Sequence, residues 1–412
     1  MKELRKAQIP VEWVMKNFKQ KDDADIENVS CFPINPPFIA SSAASSTSRS
    51  FGYGPFVVFP EYRAAAESIL DVFHPAPSDP SIRGWNVAVY ETTSEVTVNI
   101  RQHLNHRVHI AVSEAGPNSF IHRDFLVAAG FTTPEDFEYV TAANIQDFGE
   151  DTCFSILTEP HFIIGNPKAY TDPVRSYLQS GGNMLAECEA IRTYETAHFL
   201  TSAGLSVPVN NLDSLEYPNP SVPFVQMEGD LDETTYGSVP DFQIDGAGEV
   251  INNGFRVAQS IDDPNTIQAL SGRINGTTDG AGGVMFYLAG HLYLLDGFYN
   301  EPTDIQDLEQ LNGVRMFLNA VTSQAFRPST CTNTAAFEGE ISIDIADNPD
   351  TVLVNNPLEY TITLSNDACG GFVDNLDTVI NLSPDVLFNP ADLPADCTYD
   401  AVAHNITCSI ST

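Results

Sequence analysis

Cys188 ends a short apolar run, Asn183-Met184-Leu185-Ala186-Glu187, and precedes a segment whose Ile191, Tyr194 and His198 fall at helical spacing. That order implies a strand, a sharp bend and a helix, with a thiol at the bend. A side chain on such an elbow projects from the carboxyl edge of a sheet, where open α/β folds place their ligands. Other apolar runs also end in residues that do chemistry: Glu114 follows Val112, Glu159 and His161 follow Leu157, and His291 follows Leu288. If those runs are neighbouring parallel strands, the side chains ring one crevice. The reaction they would support is nucleophilic, with a Cys188 thiolate attacking, His291 accepting its proton, and Glu159 or Glu114 orienting the imidazole. Glu187 and Glu189 oppose it, because flanking negative charge disfavours a thiolate. The bland alternative makes Cys188 a small apolar residue filling the elbow and His291 a hydrogen-bonded strand end.

The elements needed to position these residues are legible from Gly54 onward. Pro55–Phe59, Trp85–Tyr90, Val108–Val112, Phe137–Val140, Cys153–Leu157 and Gly283–Leu288 read as strands. Ala64–Phe73, Phe120–Ala129, Ala169–Gln179 and Ile305–Ala325 carry apolar residues at helical spacing. Continuously apolar strands alternating with amphipathic helices predict an α/β fold, a doubly wound, mostly parallel sheet covered on both faces. Residues 206–280 are rich in Gly, Pro, Asn and Asp, with strand-like pieces at Pro223–Met227 and Phe255–Ser260, and read as a β-rich insertion. Residues 1–53 read as an N-terminal arm with an edge strand at Ile9–Met15. The α/β domain then covers 54–328. From 329 to 412 short period-2 strands separated by turn residues predict a β-sandwich of Ig-like type, incomplete because about 100 residues are typical of that fold.

Two resemblances attach to these residues. The elbow Asn183–Ile191, the late strand Val284–His291 and the helix Gly313–Ala320 make residues from about 55 to 325 similar to the class I glutamine-amidotransferase-like superfamily, which implies a flavodoxin-like fold with a cysteine elbow. That superfamily usually has glycine two positions before and after the cysteine, whereas this chain has Ala186 and Ala190. Asn355-Pro357 ahead of Tyr360–Asn366, followed by Leu382-Pro384, resembles the Ig-like conserved repeat of bacterial surface proteins. That likeness implies a stalk-like module on a secreted or cell-surface protein.

Bulk composition bounds the partners. The 412 residues, 42% of them hydrophobic, suit two or more folded domains. Fifty-five acids against 19 bases give a net charge of -36, a surface that repels nucleic acid and anionic membranes. No apolar run reaches the roughly 20 residues needed to span a bilayer, so no membrane insertion is expected within this chain. Met1–Lys6 has the charge of a signal's first segment without the apolar stretch after it, so that if the protein is exported its signal and anchor are expected outside this sequence.

Of the seven cysteines, Cys397 and Cys408 lie across a hairpin and should pair. Cys331 with Cys369, and Cys31 with Cys153, would complete a set that leaves Cys188 as the thiol. Asp344, Asp347 and Asp350, and the acids of Asp230-Leu231-Asp232-Glu233, offer oxygen ligands for calcium, although turn chemistry accounts for them equally. No other cofactor is required. Asn-x-Ser/Thr triplets at Asn28, Asn275, Asn381 and Asn405 are expected by chance in so Asn-rich a chain, and loop positions would permit glycosylation. Two functions stay open. One is a surface structural or adhesive protein, fibre-forming through an open sandwich edge, whose α/β domain has lost its chemistry. The other is an extracellular hydrolase or amidase dependent on Cys188 and His291.

Overall fold

The computed structural model describes residues 1–34, 46–73, 89–161, 168–201, 205–206, 214–231, 242–244, 254–274, 282–290, 293, 305–325, 327, 331, 341–348, 359–366, 376–382, 393, 397–403 and 405–410. The chain divides into two units, Met1–Ala336 and Phe337–Thr412.

The described residues among the first hundred or so form a small β layer. Helix α1 (Lys2–Lys6) leads into strands β1 (Val11–Val14), β2 (Ala24–Ile34), β3 (Thr47–Gly52) and β4 (Phe56–Val57), then helix α2 (Arg63–Phe73) and strands β5 (Val89–Thr92) and β6 (Ile100–Leu104). They form two antiparallel sheets, β4-β1-β6 and β3-β2-β5. The expected strand at Pro55–Phe59 therefore pairs with β1, not with the parallel sheet, and of the expected Trp85–Tyr90 strand the described part begins at Val89 in β5. Apolar Leu4, Val11, Trp13, Met15 and Leu104 pack together, and Ala66 joins them from α2. Lys19 and Asp25 form a fully buried ion pair at 2.8 Å. Lys19 also donates to the Gln226 side chain, which fastens this layer to the segment around residue 226.

The main sheet begins at β7 (Ile110–Ser113) and continues through β8 (Phe137–Val140), β9 (Ile156–Glu159), β10 (Asn183–Glu187), β11 (Leu205–Ser206), β12 (Leu215–Glu216), β13 (Phe242–Ile244), β14 (Phe255–Ser260), β15 (Thr266–Gly272) and β16 (Met285–Leu288). Five of these run parallel in the order β8-β7-β9-β10-β16. Numbered along the chain that order is 2-1-3-4-5, with its switch point between β7 and β9. The stretch expected as an insertion is part of the sheet: β15 pairs antiparallel with β16, and β14 and β13 pair with β15. Pro223–Val225 is a single 3-10 turn, not a strand, because Pro223 opens it with a fixed φ and no N–H for a ladder.

Helices α3 (Ser119–Ala128), α4 (Ala142–Gln146), α5 (Lys168–Gln179), α6 (Ala190–Glu195) and α7 (Ile305–Thr322) cover both faces. On one face Ile121 and Phe125 of α3 and Val314, Phe317 and Val321 of α7 pack on Ile110, Val112, Ile156, Leu185 and Phe286. On the other, Val174, Tyr177 and Leu178 of α5 and Ile191 and Tyr194 of α6 pack on Ala111, Leu157, Met184, Ala186 and Met285. This double cover is why the strands are apolar at successive positions.

Polar side chains lock the amino edge of the sheet. The Asn183 amide donates to the carbonyls of Ser323 and Gln324, and its oxygen accepts the Val284 N–H at 2.9 Å. Buried Arg5 donates to the carbonyl of Thr322, the last residue of α7, and to that of His106. A cation at a helix carboxyl terminus is held by the aligned peptide dipoles; burial nevertheless draws the Arg5 guanidinium down to about 9. Arg327 stacks on the Tyr177 ring and donates to the carbonyls of Tyr177, Ser180, Glu150 and Thr152.

Beside it Cys153 is bonded to Cys331. The expected Cys31–Cys153 and Cys331–Cys369 bonds are thereby excluded: Cys31 is a buried thiol inside β2, and Cys369 lies outside the described residues. The Cys397–Cys408 bond is present as expected. It joins β20 (Cys397–Asp400) to β21 (Asn405–Ile410), where the two cysteines are register partners.

In the second unit β17 (Ile341–Asn348) pairs with β18 (Glu359–Asn366), and β19 (Leu376–Asn381), β21 and β20 form an antiparallel sheet in that order. Among the described residues no helix is long and apolar enough to cross a membrane.

The Cys153–Cys331 bond closes 178 residues. Replacing both cysteines with serine is expected to lower unfolding stability by about 2–4 kcal/mol. Urea unfolding of the variant against the oxidised parent measures it, and an unchanged midpoint would contradict a stabilising clip.

Candidate functional site

The elbow is present as the sequence implies. β10 ends at Glu187, the Cys188 N–H donates to the Leu288 carbonyl at 3.0 Å, and helix α6 starts at Ala190. Cys188 has φ 52°, in the left-handed region. That conformation costs a non-glycine residue on the order of 1–2 kcal/mol and is the mark of a strand bent sharply into a helix. The same bend buries the thiol. Cys188 is 0% exposed and lies in the apolar cluster with Ala186, Ala190, Ile191 and Tyr194.

Two carboxyls flank it, one on each face of the sheet. Glu159 is register partner of Ala186 across the parallel ladder, so it shares the face of Ala186 and Cys188. It is the last residue of β9 rather than a loop residue, and the Tyr194 hydroxyl donates to its Oε2 at 2.6 Å. Burial pushes its carboxyl up to about 8, with the Tyr194 bond pulling back. Its Oε1 is buried without a hydrogen-bond partner among the described residues. Glu187 faces the opposite side, where its Oε2 lies 2.7 Å from Nε2 of His122 on α3. Burial holds Glu187 well above the usual carboxylate range. A third acid, Glu195, accepts from the N–H groups of Leu200 and Thr201 and from the hydroxyls of Thr201 and Tyr287.

The other expected members are placed as follows. Glu114 follows β7 as predicted but is exposed, which leaves Glu159, not Glu114, beside the elbow. His161 is half-buried just past β9; burial lowers its pKa while Glu189 raises it. His291 lies outside the described residues. The described partner of Glu159 is Tyr194, and the histidine it was expected to orient, His291, is not among the described residues.

The histidine that does meet a carboxyl next to Cys188 is His122. Sequence reading passed over it because it sits within a helix; its signal is a polar residue inside the apolar stripe Ile121, Phe125, Leu126. Its ring lies 4.7 Å from that of Phe317.

Asp344 and Asp347 belong to β17 instead of a turn, Asp350, Asp232 and Glu233 lie outside the described residues, and Asp230 is exposed. Among the described residues no group of three His, Cys, Asp or Glu side chains is placed to hold a metal.

No family model matches the chain. No curated protein matches it. Among solved structures the GH42 β-galactosidase Gan42B is similar at 9% identity and TM-score 0.30, over 61% of this chain and 33% of that one. The exo-β-1,4-mannosidase Op5Man5 from Opitutaceae bacterium strain TAV5 has 9% identity and TM-score 0.31, over 54% of this chain and 36% of its own. The N-terminal domain of mmIFT52 has 10% identity and TM-score 0.29, over 53% of this chain and 98% of that domain. The chain thus spans about a third of the two glycosidases, and likeness of this degree assigns neither family nor activity.

The buried Glu159 carboxyl predicts a pH dependence. Its folded value of about 8 exceeds the ordinary 4.5, so the folded chain keeps a proton that the unfolded chain releases, and stability falls as pH rises from 4.5 toward 8. Glu159→Gln keeps an acceptor for Tyr194 and should flatten that fall by up to about 1.4 kcal/mol per pH unit. Urea unfolding at pH 5, 6.5 and 8 tests it; parallel curves for variant and parent would refute a neutral Glu159.

Proposed function

We propose that this chain is a secreted or cell-surface structural protein, in which an α/β domain of amidotransferase-like build with a closed elbow is followed by Ig-like sandwich strands. The observation that carries the reading is the burial of Cys188. A nucleophile must come within about 3–3.5 Å of its target carbon, and a thiol at 0% exposure among apolar side chains offers no such approach. The two disulfides and the net charge of -36 are compatible with an exterior setting. Self-association through outer strands of the second unit belongs to this reading, because an unpaired strand edge recruits another strand.

One observation favours the second reading, a Cys188-dependent hydrolase or amidase in which His291 takes the proton. The left-handed φ of Cys188 is strain of the kind that active sites store.

Iodoacetamide separates the two. At neutral pH the folded chain is expected to leave Cys188 unmodified until denaturant is added, with Cys31, the other buried thiol, as internal reference. Rapid selective labelling of Cys188 would replace the structural reading with the catalytic one. Assembly is checked on a sizing column with and without calcium: oligomers are expected, and a monomer under both conditions sinks the fibre component.

A further inference from the structure

We propose that Asn28 is an acceptor for an asparagine-linked glycan. The proposal stands on export of the chain and not on the state of Cys188. Four Asn-x-Ser/Thr triplets occur in the sequence, at Asn28, Asn275, Asn381 and Asn405, and their surroundings differ. Asn381 and Asn405 are not in loops: they are register partners across β19 and β21, and Asn405 is half-buried. Asn275 lies outside the described residues.

Asn28 is different. In the β2–β3 pair Ile26 is opposite Phe51 and Val29 is opposite Arg49, so Glu27 and Asn28 together face Ser50 alone. This two-against-one arrangement is a β-bulge, a device that turns a side chain out of the pleat. Asn28 takes φ 55° there, a left-handed conformation that asparagine tolerates better than most residues. Its backbone N–H is satisfied by the Ser50 hydroxyl at 3.1 Å, and its side chain is exposed. Ser30, which completes the triplet, is exposed, while Val29 between them is buried and anchors the strand. A large polar group on Asn28 would therefore extend into water without displacing any packed residue.

The donor is an oligosaccharide carried on a lipid pyrophosphate. The Asn28 amide nitrogen forms a bond to the anomeric carbon, the bond from that carbon to the pyrophosphate oxygen breaks, the amide loses one proton to a base of the transferase, and the lipid pyrophosphate leaves. No oxidant or metal redox change is involved. The requirement for a hydroxyl at the third position assigns Ser30 to the recognised triplet.

Peptide mapping of the full chain purified from the cells that produce it tests the assignment. The expected result is a glycan mass on the peptide holding Asn28, with none on the peptide holding Asn405. Ser30→Ala removes the triplet and leaves the bulge and Asn28 in place. It should abolish the glycan while the chain keeps its unfolding midpoint after enzymatic removal of sugars from the parent. A bare Asn28 in exported, folded parent protein overturns the proposal, as does a glycan that persists in Ser30→Ala.

Discussion

Between β9 and β16, and under helices on both faces, β10 is buried from solvent at every residue from Asn183 to Cys188. Everything near the elbow answers to that dryness. Carboxyls at the end of such a strand are cheaper to hold neutral than charged, and both Glu187 and Glu159 are raised accordingly. Each is then given one hydrogen-bond partner from a covering helix, His122 from α3 and Tyr194 from α6. Of the two acids that argue against a thiolate on the sequence alone, Glu187 is held toward its neutral form by burial and belongs to the packing of the opposite face, whereas Glu189 pairs with Arg192 at 3.4 Å.

The parts of the fold that were legible are those where period and context agree. β8, β10, α3 and α5 fall within a residue or so of their expected bounds, because apolar spacing there reflects burial by immediate neighbours. The elbow was legible for the same reason, and Cys397–Cys408 because a hairpin brings its partners together. What escaped depends on distant partners. Pro55–Phe59 reads as a buried strand, yet its register with Trp13 is set by a segment forty residues earlier, which no local pattern announces. The stretch 206–280 looks like an insertion because its strands are short and interrupted; their place in the sheet is fixed by pairing to β15 and β16. Cys153 found Cys331 rather than Cys31, since a return of the chain to the amino edge decides that bond. Of the expected site residues, Glu159 and Cys188 do share a face. Glu114 sits in water, and His122 was hidden by the helical stripe that carries it.

The amino edge and the carboxyl edge of the sheet are built differently. At the amino edge Asn183, Arg5 and Arg327 each satisfy two or more backbone carbonyls. At the carboxyl edge Glu159 and Glu187 each retain an oxygen with no hydrogen-bond partner among the described residues. An incompletely satisfied buried carboxyl is a standing expense of roughly 1–3 kcal/mol.

The covalent bond between Cys153 and Cys331 also decides how this chain would carry tension. A pull on its two ends travels from residue 1 to Cys153, crosses the sulfur atoms, and leaves through Cys331 toward residue 412. Residues 154–330, with the elbow, α7 and most of the main sheet, form a loop outside that path. While the bond is intact their covalent chain contributes no slack. Reduction would add the contour of that loop to the extensible length, at up to about 3.3–3.6 Å per residue, so the redox state of one cystine separates a short tether from a long one.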